Sequence, residues 1–142
     1  MTGSRGESRL HHVGFVVASI EQTVDGMARS LGLRWHGEVF ADPIQRVKVT
    51  FLGEDGTPQV ELVEPDAADS PVGAFLARGG GLHHLCYEVG DLDAQLGEVR
   101  TARAIIVRQP APAVAFAGRR IAWVYTRDKL LIEYLERERL PA

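Results

Sequence analysis

Short apolar runs in which every second residue is hydrophobic recur along the chain and predict β-strands. The first run, LHHVGFVV, begins at Leu10 and is rich in β-branched and aromatic residues. A helix is predicted next, because Ser19 is a favourable N-cap, Gln22 stands at the capping-box position and the apolar spacing continues to about Leu31. Three further strands are predicted in LRWHGEVF, RVKVTFL and QVELVE, with turn residues such as GEDGTP between them. The first part of the chain therefore predicts the order βαβββ.

The same order is predicted a second time after residue 81. The strand LHHLCYEV begins at Leu82, and Asp91 is a favourable N-cap for a helix that continues to about Arg103. The segments AIIVR, RRIAWVYT and LLIEYLE are predicted to be strands. The chain is therefore predicted to contain two tandem βαβββ modules of the α+β class.

The segment PDAADSPVGAFLARGGG joins the two modules. Ser70 is expected to be the N-cap of a short helix that begins at Pro71 and ends at Gly79. The expected organisation is a disordered tail over residues 1–9, a first module over 10–64, a linker over 65–81 and a second module over 82–137, with 10–137 forming one domain.

A shift of the sequence over itself by 72 residues supports the repeat. Only seven of the 55 superposed pairs are identical, but five of them fall on His, Glu or the leucine that opens a predicted strand. In this superposition Leu10-His11-His12 falls on Leu82-His83-His84, Glu61 falls on Glu133, and Glu64 falls on Glu136.

The alternation of side chains along a strand predicts which residues share a face. The more apolar face of each first strand should lie under the helix, so His12 and His84 should face away from it. Glu61 and Glu133 each lie between two apolar neighbours, which should cover the helix side. In both modules the histidine precedes the glutamate by 49 residues, so each module is expected to carry one imidazole and one carboxylate on its open face.

A single strand histidine is more often packed or exposed than a metal ligand, but a carboxylate inside an apolar strand needs a partner. If the modules face each other, two nitrogens and two carboxylates converge, and such a set suits one divalent Zn, Ni, Co, Mn or Fe ion. The expected metal ligands are His12, Glu61, His84 and Glu133. His11 and His83 are expected not to bind the metal, His36 has no expected function, and Cys86 is expected to line a pocket rather than to catalyse.

Composition narrows the classes of function further. The chain has 142 residues, of which 45% are hydrophobic and 25% are charged, and its formal net charge of −3 argues against nucleic acid or an anionic membrane as a partner. One cysteine, Cys86, excludes an intramolecular disulfide and favours a reducing compartment. No apolar run approaches the roughly 20 residues of a membrane span. We therefore expect a cytoplasmic enzyme whose partner is a small molecule.

Three stretches resemble the vicinal oxygen chelate superfamily, which includes glyoxalase I, methylmalonyl-CoA epimerase, bleomycin-resistance proteins and extradiol dioxygenases. They are LHHVGFVVASIEQ, VELVEPDAADSPVGAFLARGGGLHHLCYEV and LLIEYLE, and they are most similar to the epimerase-like members. The resemblance implies a glyoxalase-type fold, a cupped, barrel-like mixed sheet, and it places the family's metal ligands on His12, Glu61, His84 and Glu133.

The resemblance also implies a reaction. Glyoxalase I and the epimerases bind two neighbouring substrate oxygens at a metal, which stabilises an enediolate while a carboxylate moves the proton α to the carbonyl. The leading interpretation is therefore a metal-dependent isomerase or epimerase acting on an acyl-CoA or another acyl thioester, with Glu133 or Glu61 as the base. The alternatives are a glyoxalase I-type lactoylglutathione lyase acting on a thiol adduct and a non-catalytic small-molecule or antibiotic-binding resistance protein.

One departure from the epimerase pattern concerns the second base. The epimerase's Glu-x-Gly-Val run, which carries that base, falls on Ile44-Gln45-Arg46-Val47, so an apolar residue stands at the base position. Candidate arginines for the phosphates of a thioester substrate are Arg46, Arg119, Arg120 and Arg127. The resemblance and the exposed sheet edges together predict a homodimer.

Overall fold

The computed structural model describes residues 8–54 and 56–138, and these fall into two compact units. The first unit comprises residues 12–83, and the second comprises the described residues from 84 onwards together with those up to residue 11. The strands and α-helices in chain order are β1 (Arg9–Val16), α1 (Ile20–Leu31), β2 (Trp35–Asp42), β3 (Val47–Glu54), β4 (Thr57–Pro65), α2 (Gly73–Ala77), β5 (Gly81–Val89), α3 (Leu92–Thr101), β6 (Ile105–Pro112), β7 (Arg120–Tyr125) and β8 (Leu131–Glu136).

The first unit is a four-stranded mixed sheet in the order β2-β3-β4-β1, with α1 packed on one face. Strand β1 runs parallel to β4, and β3 is antiparallel to both of its neighbours. The helix begins as the sequence predicts, because the Ser19 hydroxyl accepts a hydrogen bond from the Gln22 amide at 3.2 Å. Val24 of α1 packs on Leu52 and Leu62 of the sheet, and this apolar core fixes which face the helix covers.

The second unit repeats this arrangement with the strand order β5-β8-β7-β6. Strand β5 is parallel to β8, and β7 is antiparallel to β8 and β6. The Asp91 carboxylate accepts a hydrogen bond from the Ala94 amide at 2.9 Å and caps α3. Leu96 of this helix packs against Val124 and Tyr134 of the sheet. The predicted α+β class and the two βαβββ modules are therefore confirmed.

The linker helix and the end of α3 differ from the prediction. Helix α2 begins two residues later than expected, because Ser70 first forms a tight turn in which its carbonyl accepts a hydrogen bond from the Gly73 amide at 3.0 Å. Pro71 occupies the second position of this turn, where its fixed φ is favourable. Helix α3 ends at Thr101 rather than at Arg103, because Arg103 adopts a left-handed conformation with φ of 65°.

Two further expectations from the sequence concern the N-terminal tail and membrane-spanning helices. Most of the expected tail, residues 1–7, lies outside the described residues. None of the helices in the described ranges has the length and apolar character needed to cross a membrane.

The close approach of Gly80 to β1 gives a test of the first unit. A Cβ added at Gly80 would lie 2.8 Å from the Val16 carbonyl oxygen, and its φ of +66° disfavours any other residue. We expect Gly80→Ala to destabilise the protein by at least about 1–2 kcal/mol, since the left-handed conformation alone costs that much. Denaturant unfolding at equilibrium measures this change.

Gly26 is the matched control. It lies in α1, and a Cβ there would meet no atom within 4 Å. Gly26→Ala should therefore stabilise the protein by about 0.5–1 kcal/mol through helix propensity. Equal effects of the two alanine substitutions would contradict the proposed contact between Gly80 and Val16.

Candidate functional site

A histidine and a glutamate are buried side by side in the first unit. The pairing of β1 with β4 sets Gly14 opposite Glu61, and the Nε2 atom of His12 lies 3.4 Å from a carboxylate oxygen of Glu61. Phe15 and Val60 belong to the core under α1. His12 lies three residues before Phe15 and Glu61 lies one residue after Val60, and since both separations are odd, His12 and Glu61 lie on the other face of the sheet. The exposed fraction is 1% for His12 and 5% for Glu61.

The second unit carries an equivalent pair. The Nε2 atom of His84 lies 3.5 Å from a carboxylate oxygen of Glu133, and the exposed fractions are 3% and 2%. Ile132 and Tyr134, on either side of Glu133, pack in the core under α3, so this pair too lies on the face away from the helix. Each unit by itself therefore contains one buried imidazole–carboxylate pair, and the two pairs are related by the 72-residue shift.

The distances within the pairs fit two atoms that bind a common ion. Both N···O separations exceed the 2.7–3.2 Å that is usual for an N–H···O hydrogen bond. Two donors that each lie about 2.0–2.1 Å from a tetrahedral Zn²⁺ are separated by about 3.3–3.4 Å. Nitrogen and carboxylate oxygen are also suitable donors for such an ion. The residues present in each unit therefore fit half of the ligand set of a divalent metal.

An aromatic ring packs against the histidine of each pair, a feature that sequence reasoning missed. Phe51 lies opposite Glu61 on β3, and its ring contacts His12 with a centroid separation of 5.5 Å. Trp123 lies opposite Glu133 on β7, and its ring contacts the His84 ring at 4.8 Å. The 72-residue shift also superposes Phe51 on Trp123, which is the signal that could have found them.

The other three histidines lie in different surroundings. The rings of His11 and Phe116 pack edge to face at 5.5 Å, and those of His83 and Phe75 do so at 4.9 Å. The Nε2 atom of His36 lies 3.2 Å from the Gly53 carbonyl oxygen.

Cys86 is fully buried, and its neighbours make it part of a packed core. It belongs to an apolar cluster with Ala113, Ile121 and Leu135. Its side chain packs as a small apolar group in this cluster, as is typical of buried free cysteines.

Three of the four arginines considered for phosphate binding form ion pairs within their own units. Arg119 donates a hydrogen bond to the Glu88 carboxylate at 2.6 Å. Arg120 pairs with Glu136 at 2.8 and 3.0 Å, and its hydrogen bonds to Glu136 and Asp93 raise the pKa of Arg120 above its ordinary value. Arg46 pairs with Asp69 in the same way, whereas Arg127 is exposed in the turn between β7 and β8.

The position of Ile44 is defined by a tight turn. The Asp42 carboxylate accepts hydrogen bonds from the backbone amides of Ile44 and Gln45, both at 3.0 Å. Ile44 is 56% exposed. Arg46 has a φ of 55°, a conformation that favours glycine. The glycine of the related Glu-x-Gly-Val run therefore falls on a position with the expected backbone, which supports placing its glutamate on Ile44.

Comparison with known proteins gives one family. Residues 11–123 match the model of the glyoxalase/bleomycin resistance protein/dioxygenase superfamily. An ethylmalonyl-CoA/methylmalonyl-CoA epimerase from Cereibacter sphaeroides is 30% identical over 122 residues, which cover 84% of this chain and 90% of that protein.

Solved structures agree with the sequence relatives. A hypothetical protein from Bacillus halodurans superposes with a TM-score of 0.81 at 27% identity, covering 95% of this chain and 98% of the other. A variant of methylmalonyl-CoA epimerase from Streptomyces coelicolor, in complex with 2-nitronate-propionyl-CoA, gives 0.77 at 25% identity, covering 94% and 99%. The resemblance seen in the sequence is therefore confirmed, and the chain belongs to the glyoxalase/bleomycin resistance protein/dioxygenase superfamily.

Proposed function

We propose that this protein is a metal-dependent enzyme of the epimerase type that enolises an acyl-CoA, or a related acyl thioester, at the carbon α to its carbonyl. The observation that carries the proposal is the buried His–Glu pair present in each unit. The family relation supports the same reaction class, since the Cereibacter relative is an epimerase of ethylmalonyl-CoA and methylmalonyl-CoA. The Streptomyces enzyme binds an acyl-CoA analogue, which supports the substrate class.

The two pairs together would hold one divalent ion through His12, Glu61, His84 and Glu133. Each unit supplies two donors, whereas a tetrahedral site needs four and an octahedral site six. When bound, the ion supplies Lewis acidity, which lowers the cost of negative charge on the substrate's carbonyl oxygen. All four side chains are almost fully buried, so water would be excluded from the place where negative charge develops on the substrate.

The glutamates would have a second role as bases. A carboxylate that accepts the α-proton must lie within hydrogen-bond reach of it, and Glu133 and Glu61 are the acidic residues of the two pairs. The histidines would bind through Nε2, the atom that lies nearest to the carboxylate in each unit. The imidazole must be neutral to bind a metal, so metal binding competes with protonation of the imidazole.

The alternatives have less support. The named relatives compared above are epimerases, and neither of them favours a lactoylglutathione lyase. A binding protein without a metal would have no need of two buried carboxylates, because burial of such groups is costly. A binding protein that keeps the metal would give no deuterium exchange at the substrate's α-carbon.

The adjacent histidines of β5 give a sharp test of metal binding. We expect about one divalent ion per chain, and we expect His84→Ala to lose it, since His84 faces Glu133. His83→Ala should retain the ion, because the His83 ring packs against Phe75 instead. Elemental analysis of the purified variants measures the stoichiometry. Added metal should also stabilise the wild type by about 2.7 kcal/mol at a free concentration of 100 times Kd, and it should not stabilise His84→Ala.

The reverse result would contradict the proposed ligands. Loss of the ion in His83→Ala with retention in His84→Ala would place the site on the other face of β5. The pair His11→Ala and His12→Ala repeats the test on β1, where His11 contacts Phe116 and His12 lies beside Glu61.

Because an isoleucine stands at the position of the second base, we expect weak epimerisation of methylmalonyl-CoA. Inversion needs one base to remove the α-proton and a second acid to return it to the opposite face, and Ile44 cannot do either. Loss of a positioned acid–base group typically costs 10²–10⁴-fold. In heavy water we therefore expect deuterium exchange that mostly retains configuration, as measured by NMR and by chiral analysis of the product.

Two substitutions at the same position provide the control. Ile44→Glu should raise the ratio of inversion to exchange, whereas Ile44→Gln, of similar size but unable to move a proton at neutral pH, should not. Inversion by the wild type at about 10²–10³ s⁻¹, the range of an efficient enzyme, would show that another residue serves as the second base.

We also propose a homodimer. Strands β2 and β6 lie at the ends of the strand orders of their units, and each carries exposed apolar side chains, such as Val39 at 45% and Ile105 at 63%. Exposed apolar edge strands favour association. Light scattering should give twice the chain mass at micromolar concentration, and Val39→Lys or Ile105→Lys should shift it towards the monomer. A wild-type monomer would exclude the dimer.

A further inference from the structure

An aromatic ring packs edge to face against the histidine in both units, although the residue is phenylalanine in one unit and tryptophan in the other. The planes of the Phe51 and His12 rings meet at 70°, and those of Trp123 and His84 meet at 79°. Both aromatic residues lie directly opposite the glutamate of the pair on the neighbouring strand. Each half-site is therefore a set of three residues, one imidazole, one carboxylate and one aromatic ring, drawn from three strands of one unit.

We propose that Phe51 and Trp123 are positioning residues, which hold the imidazoles of His12 and His84 with Nε2 turned towards the carboxylate. This inference rests on the proposed metal site. The χ2 torsion of histidine has a broad, roughly two-fold preference, so nothing in the side chain itself fixes the orientation of the ring plane. A near-perpendicular aromatic ring limits that rotation, and in both units the Nε2 atom lies 3.4–3.5 Å from the carboxylate.

Trp123 should have the larger effect. Its ring lies 4.8 Å from the ring of His84, whereas Phe51 lies 5.5 Å from that of His12. The indole also offers a wider surface than a phenyl ring, so it restricts more of the imidazole's motion. The two half-sites should therefore differ, and His84 should be the more rigid of the two ligands.

Edge-on contact with an aromatic ring does not by itself make a histidine a ligand. His11 and His83 also contact rings, at 86° and 77°. The rings of Phe51 and Trp123 differ because they lie opposite the glutamates, where they fix the imidazole relative to the second donor. The test must therefore separate positioning of a metal ligand from ordinary packing.

Co²⁺ binding to the full chain, stripped of metal with a chelator, provides that test. We expect Trp123→Leu to raise the Kd for Co²⁺ about 10-fold or more, in the range found when groups that orient metal ligands are removed. Trp123→Phe, which keeps an aromatic ring, should bind within about threefold of the wild type, and Phe51→Leu should give a smaller loss than Trp123→Leu. The visible absorption of bound Co²⁺ should change in Trp123→Leu and remain unchanged in Trp123→Phe, because it reports the ligand geometry.

Tyr125→Leu is the matched control. Tyr125 lies two residues after Trp123 on the same strand and is 40% exposed. Its loss should leave the Kd unchanged. If Trp123 were only a packing residue, Trp123→Leu would lower the melting temperature while the folded protein bound Co²⁺ as the wild type does, and that result would overturn the inference. A wild type that bound no Co²⁺ would instead overturn the proposed metal site and the inference together.

A second measurement covers the case in which Trp123→Leu does not fold. The chain has two tryptophans, so Trp35→Phe leaves Trp123 as the sole indole. Co²⁺ at the proposed site should quench most of its fluorescence, whereas Zn²⁺, with a closed d shell, should quench much less. Unquenched fluorescence at a Co²⁺ concentration that saturates the protein would show that Trp123 does not lie beside a metal ligand and would overturn the inference.

Discussion

Burial of a carboxylate inside an apolar strand is the constraint on which each unit depends. Glu61 and Glu133 have exposed fractions of 5% and 2%, although a charged group without a partner would be costly there. The partner is a histidine of the parallel strand, with an N···O distance of 3.4–3.5 Å. Because the apolar neighbours of both residues face the opposite side, the helix must cover that side and leave the pair on the other.

The strand register therefore places each glutamate beside its histidine. Glu61 lies opposite Gly14, two residues after His12, and Glu133 lies opposite Cys86, two residues after His84. A slip of one residue would turn the carboxylate towards the apolar core under the helix, where it would have no histidine beside it. The apolar cores that fix the helices thus also protect the register, which explains how so few identities between the modules preserve equivalent pairs.

The sequence predicted best the features that depend on local chemistry. The number and order of the strands and the caps at Ser19 and Asp91 were predicted correctly, because alternation and capping act within a few residues. Strand β6 is longer than its predicted segment AIIVR and continues to Pro112. The start of the linker helix was predicted two residues too early, since Ser70 forms a turn before the helix and is not its N-cap. The ion pair of Arg119 with Glu88 joins residues 31 positions apart, so no local pattern indicates it. The contact of Trp123 with His84 was missed for the same reason, since the two residues lie on different strands, 39 positions apart.

The proposed metal donors and Ile44 lie in different kinds of structure. The proposed metal donors lie within paired strands, where register and burial resist change. Ile44 lies in an exposed turn, which Asp42 fixes through backbone amides alone. Those hydrogen bonds do not depend on the side chain at position 44, so the turn can keep its shape while that side chain changes. Under the proposed function, a change in the turn can therefore alter proton transfer and the stereochemistry of the reaction while the fold and the proposed donor set remain.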